Sequence, residues 1–186
     1  RAKKLQKHLF ENFGGDIQYK KLAESVLGEN IVQVNPSELP KISIITSVYD
    51  GDEYIEQFLE NITTQTIFKD KCELLLINAN SPGKEEAVIK KYLKKFPDNI
   101  VYKKLDEDPG IYGVWNIGVD MATGEYLTNA NLDDRKSPDS LERHAIALMS
   151  NEGVDLVYSD MMITETANDT WDNVSKPRQK YNMAEF

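Results

Sequence analysis

The residues with the plainest chemistry are two adjacent carboxylates, Asp133 and Asp134. They close the stretch Tyr126-Leu127-Thr128-Asn129-Ala130-Asn131-Leu132, which reads as a strand running out of apolar residues. Loops at strand ends of α/β sheets carry polar groups over a rigid base, which is where ligands bind. Two hard oxygen donors there suit Mg²⁺ or Mn²⁺, and such ions generally bring a phosphate with them. The competing reading is a simple acidic turn before the next helix. What surrounds the pair decides between the two.

To position such a pair the chain needs a sheet, and the pattern supplies one. Ile42–Val48, Glu73–Asn78, Ile100–Tyr102, Glu125–Ala130 and Val154–Tyr158 are short apolar runs of strand type. Between them lie helical stripes: Ile55, Phe58, Leu59 and Ile62; Ile89, Tyr92, Leu93 and Phe96; Ile111, Val114, Trp115, Gly118, Val119 and Ala122; then Leu141, Ala145 and Leu148. These recur at i, i+3, i+4 and i+7, one face of a helix. Ser81-Pro82 and Ser137-Pro138 read as N-caps followed by proline, and Gly124 as a left-handed helix terminus. Strand and helix in alternation predict βαβ units, a mainly parallel sheet and helices on both faces. All strand C-termini then share one edge. Thr46–Asp52, Asn78–Ser81, Asp106–Gly110 and Asn131–Asp134 should converge there.

Residues 1–40 differ from the rest. Leu5, Leu9 and Phe10, then Leu22, Val26 and Leu27, suggest two short amphipathic helices before a linker at 35–40. The expected organisation is an N-terminal helical appendage over 1–40 and an α/β domain over 41–186. The cluster Arg1, Lys3, Lys4 and Lys7 reads as a solvated face, with a membrane-surface role as the alternative. The first residue is Arg1, so the chain is expected to be part of something longer.

Composition narrows the function class. With 186 residues and a net charge of −9, the chain lacks the surplus of Lys and Arg that a nucleic-acid binder needs. A single cysteine, Cys72, excludes an internal disulfide and a Cys/His zinc cluster. It fits a reducing, cytoplasmic setting, with the inner face of a membrane as a variant. Neither a dinucleotide glycine fingerprint nor a Walker A loop follows the first strand, and no Gly-x-Ser-x-Gly elbow is present. Phosphate charge must be met by something else, and an ion on Asp133/Asp134 would meet it. His144 falls inside a predicted helix and reads as a packing residue rather than a catalyst.

Three ordered segments carry a resemblance. Ile44–Gly51 with Tyr54-Ile55, Leu59 and Gln65-Thr66 resembles the opening of family 2 glycosyltransferases. Asp108–Gly118 is similar to their conserved loop and helix, and Ala122–Leu127 followed by Asn131–Asp134 to their strand and Asp-x-Asp-type motif. The likeness covers residues 41–160. It implies the GT-A fold, a nucleotide-sugar donor (commonly a UDP-sugar), a Mn²⁺ or Mg²⁺ ion, a saccharide or lipid-linked acceptor, and inversion at the anomeric carbon. Carried over residue by residue, it places Thr46, Ser47, Tyr49, Asn78, Asn80, Gly110 and Asp133 around the nucleotide-sugar and Asp134 on the metal. Asp160, at a strand end, is the candidate base on the acceptor side.

The sequence departs from the family at three points. Ala79 stands where an acidic residue usually contacts the base. Gly113 and Ile117 stand where many relatives carry Asp and Lys. The acceptor-binding half of the family follows the region around Asp160, so the chain is expected to stop short of it. Two other functions compete: a silent scaffold of the same fold, and a nucleotidyltransferase. The latter wants a basic phosphate loop, and Thr46–Asp52 contains no basic residue.

Overall fold

A computed structural model describes residues 34–151, 153–159, 161–164, 166–170 and 179–181. The expected helices before residue 34, and Asp160, lie outside the described residues. A four-stranded, wholly parallel sheet forms the centre: β1 (Ile42–Val48), β2 (Cys72–Asn78), β3 (Ile100–Lys104) and β4 (Tyr126–Asn129), in the order β3-β2-β1-β4. The chain steps outward from β1 to β2 to β3, then returns across the sheet to place β4 on the other side of β1. The helices are α1 (Ile55–Thr63), α2 (Phe68–Lys71), α3 (Glu85–Lys95), α4 (Gly110–Met121) and α5 (Ser140–Met149).

Right-handed crossovers put α1 and α3 on one face and α4 on the other, because the β3–α4–β4 step runs in the opposite direction. Strand periodicity then sorts the side chains. Ile45, Leu75 and Ile77 point to one face and pack with Val114, Trp115, Ile117 and Met121 of α4. Ile44, Leu74 and Leu76, one residue out of step, occupy the other face and are fully buried. All seven positions of β2 are buried, as a strand covered on both faces requires. The α1 stripe Ile55, Phe58, Leu59 and Ile62 is buried as its spacing predicts. Cys72 lies in this core, and burial pushes its thiol up to about 12, so it stays an unreactive hydrophobe.

Residues 35–40 are tied to the sheet domain. Lys71 donates to the carbonyls of Ser37 and Leu39, at 2.5 and 2.7 Å, and Leu39 is buried.

Three local expectations change. Val154–Tyr158 is not a strand. Val154, Leu156 and Tyr158 are exposed, and so is Asp155, so the run buries neither alternate face and gains nothing from a ladder. The next pairing is instead antiparallel, β5 (Met161–Ile163) with β6 (Gln179–Tyr181). The two Ser-Pro pairs do not start helices: α3 begins at Glu85 after Lys84, and α5 at Ser140 after Asp139. Gly124 is not left-handed, since the positive-φ glycines are Gly110 and Gly153 among the described residues. Its role is close approach. A Cβ there would sit 2.7 Å from both the Lys41 carbonyl oxygen and the Ser43 amide nitrogen. Backbone of a central strand cannot retreat, so Gly124→Ala should destabilise the domain by about 2 kcal/mol, read from urea unfolding midpoints.

Candidate active site

Where the strand order reverses, between β1 and β4, the loops leaving the two strands part and open a crevice. A cavity of about 430 Å³ lies there, lined by Ser47, Tyr49, Asp50, Tyr54, Asp108, Ile111, Asn131, Leu132 and Asp133. Three loops contribute, one each from β1, β3 and β4. Asp50, Asp108 and Asp133 make the lining acidic, and it contains neither lysine nor arginine.

Each wall has a local cause. Ser47 and Tyr49 fall on the odd face of β1 and its extension, so both reach the cavity, and Tyr49 is half exposed. Thr46, one residue out of step, is fully buried against the opposite layer and its hydroxyl finds no partner. It lies off the cavity, contrary to the expectation that it contacts a ligand. Asp50 adopts a left-handed φ of 45°, costly for most side chains but tolerated by Asp. Gly110 takes φ 75° as the chain turns into α4, where a side chain would strain the backbone. Its amide donates to Asp108 Oδ1 at 2.8 Å, which places Asp108 and Ile111 on the cavity wall while Gly110 itself does not line it.

Gly51 brings two loops together. A Cβ on it would lie 2.3 Å from Leu132 Cδ1, so a larger residue would have to push that side chain aside where the β1 and β4 loops meet. The β4 loop is fixed from below by α1. Asn61 clamps Lys136 at two points, Nδ2 to the carbonyl at 2.8 Å and Oδ1 from the amide at 2.9 Å. Gln65 Nε2 donates to the Ser137 carbonyl at 2.8 Å. Arg135 donates to the Leu132 and Asp134 carbonyls, both at 2.7 Å, and to Tyr54 and Asn168. Burial pulls this guanidinium down, and Asp133 and Asp134 pull it back up.

Asp133 and Asp134 are both exposed, but only Asp133 lines the cavity. Asp134 Oδ2 accepts from Asn131 Nδ2 at 2.9 Å. Among the described residues no three His, Cys, Asp or Glu side chains form a cluster able to hold a metal by themselves. Asn78 and Asn80 do not line the cavity either. Asn78 is buried, its Oδ1 accepting from the Ser81 amide at 2.8 Å, and Asn80 sits exposed with φ 57°. Ala79 is buried in the core. His144 lines a separate small hollow of about 80 Å³ beside β4, and burial lowers its imidazole, with Lys136 adding to the effect. Asp50 and Asp108 are not among the site residues named from the sequence, yet both lie in loops expected to converge at this edge, each just before a glycine or Pro-Gly turn.

The described residues contain no helix long and apolar enough to cross a membrane. Comparison with known proteins agrees with this geometry. The sequence model of the family described as Glycosyl transferase family 2 matches residues 43–185. Over 100 residues the chain is 35% identical to the minor teichoic acid biosynthesis protein GgaB of Bacillus subtilis, covering 54% of this chain and 11% of that protein. Over 154 residues it is 30% identical to the glycosyltransferase AglE of Haloferax volcanii, covering 80% of this chain and 49% of that one. The chain thus spans half or less of these relatives' lengths.

Among solved structures, the mannosyltransferase PcManGT from Pyrobaculum calidifontis, in complex with GDP-Man and Mn²⁺, superposes with a TM-score of 0.57 at 22% identity, over 77% of this chain and 43% of that one. S. aureus TarS 1-349 in complex with UDP-GlcNAc gives 0.54 at 22% identity, over 70% and 40%. At that identity the likeness speaks for the fold, the α/β architecture of GT-A type. The family match spans most of the chain, and on it the chain belongs to glycosyl transferase family 2.

Proposed function

We propose that this domain binds a nucleotide-sugar, a UDP-sugar first among candidates, in the cavity between β1 and β4. It is the donor half of an inverting glycosyltransferase acting on a saccharide or lipid-linked hydroxyl. The observation that carries this is the lining: three carboxylates, one half-exposed tyrosine and no basic side chain. A diphosphate entering such a cavity needs a cation, and the described lining residues include none.

The donor set fits a small divalent ion, which takes one or two carboxylates and completes its shell with phosphate oxygens and water. Asp133 would hold it from the cavity wall, with Asp134 beside it. Bound there, the ion would offset the charge that develops on the diphosphate leaving group. The rest falls to the chain. Tyr49 offers an aromatic face to the base, and Ser47 a hydroxyl. Asp108 and Asp50 accept hydrogen bonds from ribose or sugar hydroxyls. The acceptor oxygen bonds to the anomeric carbon from the face opposite the phosphate as the carbon–phosphate-oxygen bond breaks, and its proton passes to a base. Asp160 is the proposed base.

The relatives whose structures carry GDP-Man and UDP-GlcNAc support a nucleotide-sugar without choosing between them. A thermal-shift panel tests the reading. UDP, GDP and their sugars are added with Mn²⁺, with Mg²⁺ and with EDTA. A ligand at about a hundred times its Kd should raise Tm by about 5–10 °C in Mn²⁺. No shift in EDTA is expected. A shift with nucleotide that ignores the ion would remove the metal from the reading. No shift with any nucleotide would leave a silent scaffold.

A further inference from the structure

Behind the cavity, on the first turn of α3, sits a carboxylate with no evident reason to be buried. Glu85 is 1% exposed. Its Oε1 accepts from the Gly51 amide at 2.6 Å and from Ser81 Oγ at 2.8 Å. Ser81 Oγ in turn accepts from the Asp50 amide at 2.9 Å and the Gly83 amide at 3.1 Å. Glu85 Oε2 is buried and has no partner among the described residues. Burying a carboxyl with one oxygen unsatisfied is unfavourable. Room has also been left for it. A Cβ on Gly83 would sit 2.7 Å from both carboxylate oxygens. Asp52 adds a second tie between the same loops, its Oδ1 accepting from the Lys84 amide at 2.6 Å.

We infer that Glu85 is a positioning residue for the nucleotide-sugar cavity. Through Gly51 and Ser81 it holds the β1 loop in the left-handed turn that aims Tyr49 and Asp50 at the ligand. It touches no ligand itself. The inference rests on the donor-site reading above for its consequence, though not for the clamp.

Two readouts on the full chain separate the clamp from the donor site. Amide hydrogen exchange over residues 49–53 reports the loop, and calorimetry with UDP and Mn²⁺ reports the cavity. Glu85→Leu fills the volume and removes the acceptor. Exchange at Gly51 should speed up and affinity should fall, each by about tenfold or more, since small misplacements of binding groups are costly. Glu85→Gln keeps the accepting oxygen and should restore both to near wild type. If Glu85→Leu does not fold, Ser81→Ala removes the hydroxyl that joins the Asp50 and Gly83 amides to Glu85, and should loosen the Asp50 amide while leaving Gly51 protected. Unchanged exchange in Glu85→Leu overturns the clamp, as does equal loosening in Glu85→Gln. A loop that loosens as described, in a protein whose wild type binds no nucleotide, overturns the donor site and leaves the clamp standing.

Discussion

Asp133→Asn should abolish cation-dependent nucleotide binding while leaving the domain folded. The side chain is exposed, lines the cavity, and among the described residues makes no hydrogen bond that holds a neighbouring segment. Surface changes of this kind usually stay within about 0.5 kcal/mol of wild-type stability. The binding loss should be far larger. An amide keeps one oxygen but loses the negative charge that a hard cation requires, and the remaining walls offer no basic residue to take over. An affinity loss on the order of a hundredfold, about 3 kcal/mol, is expected for UDP in Mn²⁺. Asp134→Asn should cost less, because that carboxylate is already engaged by Asn131 and stands off the cavity. Calorimetry on both variants, with Tm measured in EDTA, ranks the two. If Asp134→Asn is the more damaging, the metal returns to the position that the sequence motif alone favours.

The ranking turns on side-chain direction, which is the part of the structure least legible in the chain. The sheet was legible because burial on both faces leaves a uniform apolar run, as in Leu74–Ile77, and because α1 carries a full stripe. Convergence of loops at one edge followed from parallel strands alone. Side-chain direction did not. Thr46 and Ser47 are chemically alike, and a one-residue difference in strand parity sends one into the core and the other to the cavity. The resemblance puts Asn78 at the nucleotide-sugar, while in the fold it is buried and its carboxamide oxygen accepts from the Ser81 amide. Glu85 carries no motif: it is one of two acids in a row before an apolar stripe. Its bond with the Gly51 amide spans 34 positions, which no local pattern reports. Val154–Tyr158 failed for a related reason. A hydrophobic run becomes a strand only where a partner edge and a covering layer exist, and here its side chains stay exposed.

The second large effect lies at the opposite end of the sheet. Glu73 is buried at the start of β2. Its carboxylate accepts from Ser43 Oγ at 2.6 Å, the Thr123 amide at 2.6 Å, Thr123 Oγ1 at 2.8 Å and Lys41 Nζ at 2.7 Å. Ser43 Oγ then accepts from the Gly124 amide at 2.8 Å. The cluster joins β1, β2 and the turn between α4 and β4, and so sets the register in which β4 carries Asn131–Asp133 to the site. Burial pushes the Glu73 carboxyl up, but the hydrogen bonds from Lys41, Ser43 and Thr123 outweigh it and hold the group down, from 4.5 to about 2. A depressed carboxylate contributes stability above its unfolded value that is lost as pH falls toward its folded one. The window is therefore from about pH 4.5 down to about pH 2, and the contribution is about 3 kcal/mol. Glu73→Ala should lose a comparable amount, about 3 kcal/mol at pH 7, by leaving the Thr123 and Ser43 donors unpaired. Its urea midpoint should also be flatter than wild type's between pH 5 and pH 3. A variant that matches wild-type stability at pH 7, or keeps the same acid slope, would mean that the register of β4 is set elsewhere. If the cluster does set it, Glu73→Ala should also weaken nucleotide binding in proportion to the disorder it brings to the β4 loop, from the far end of the strand.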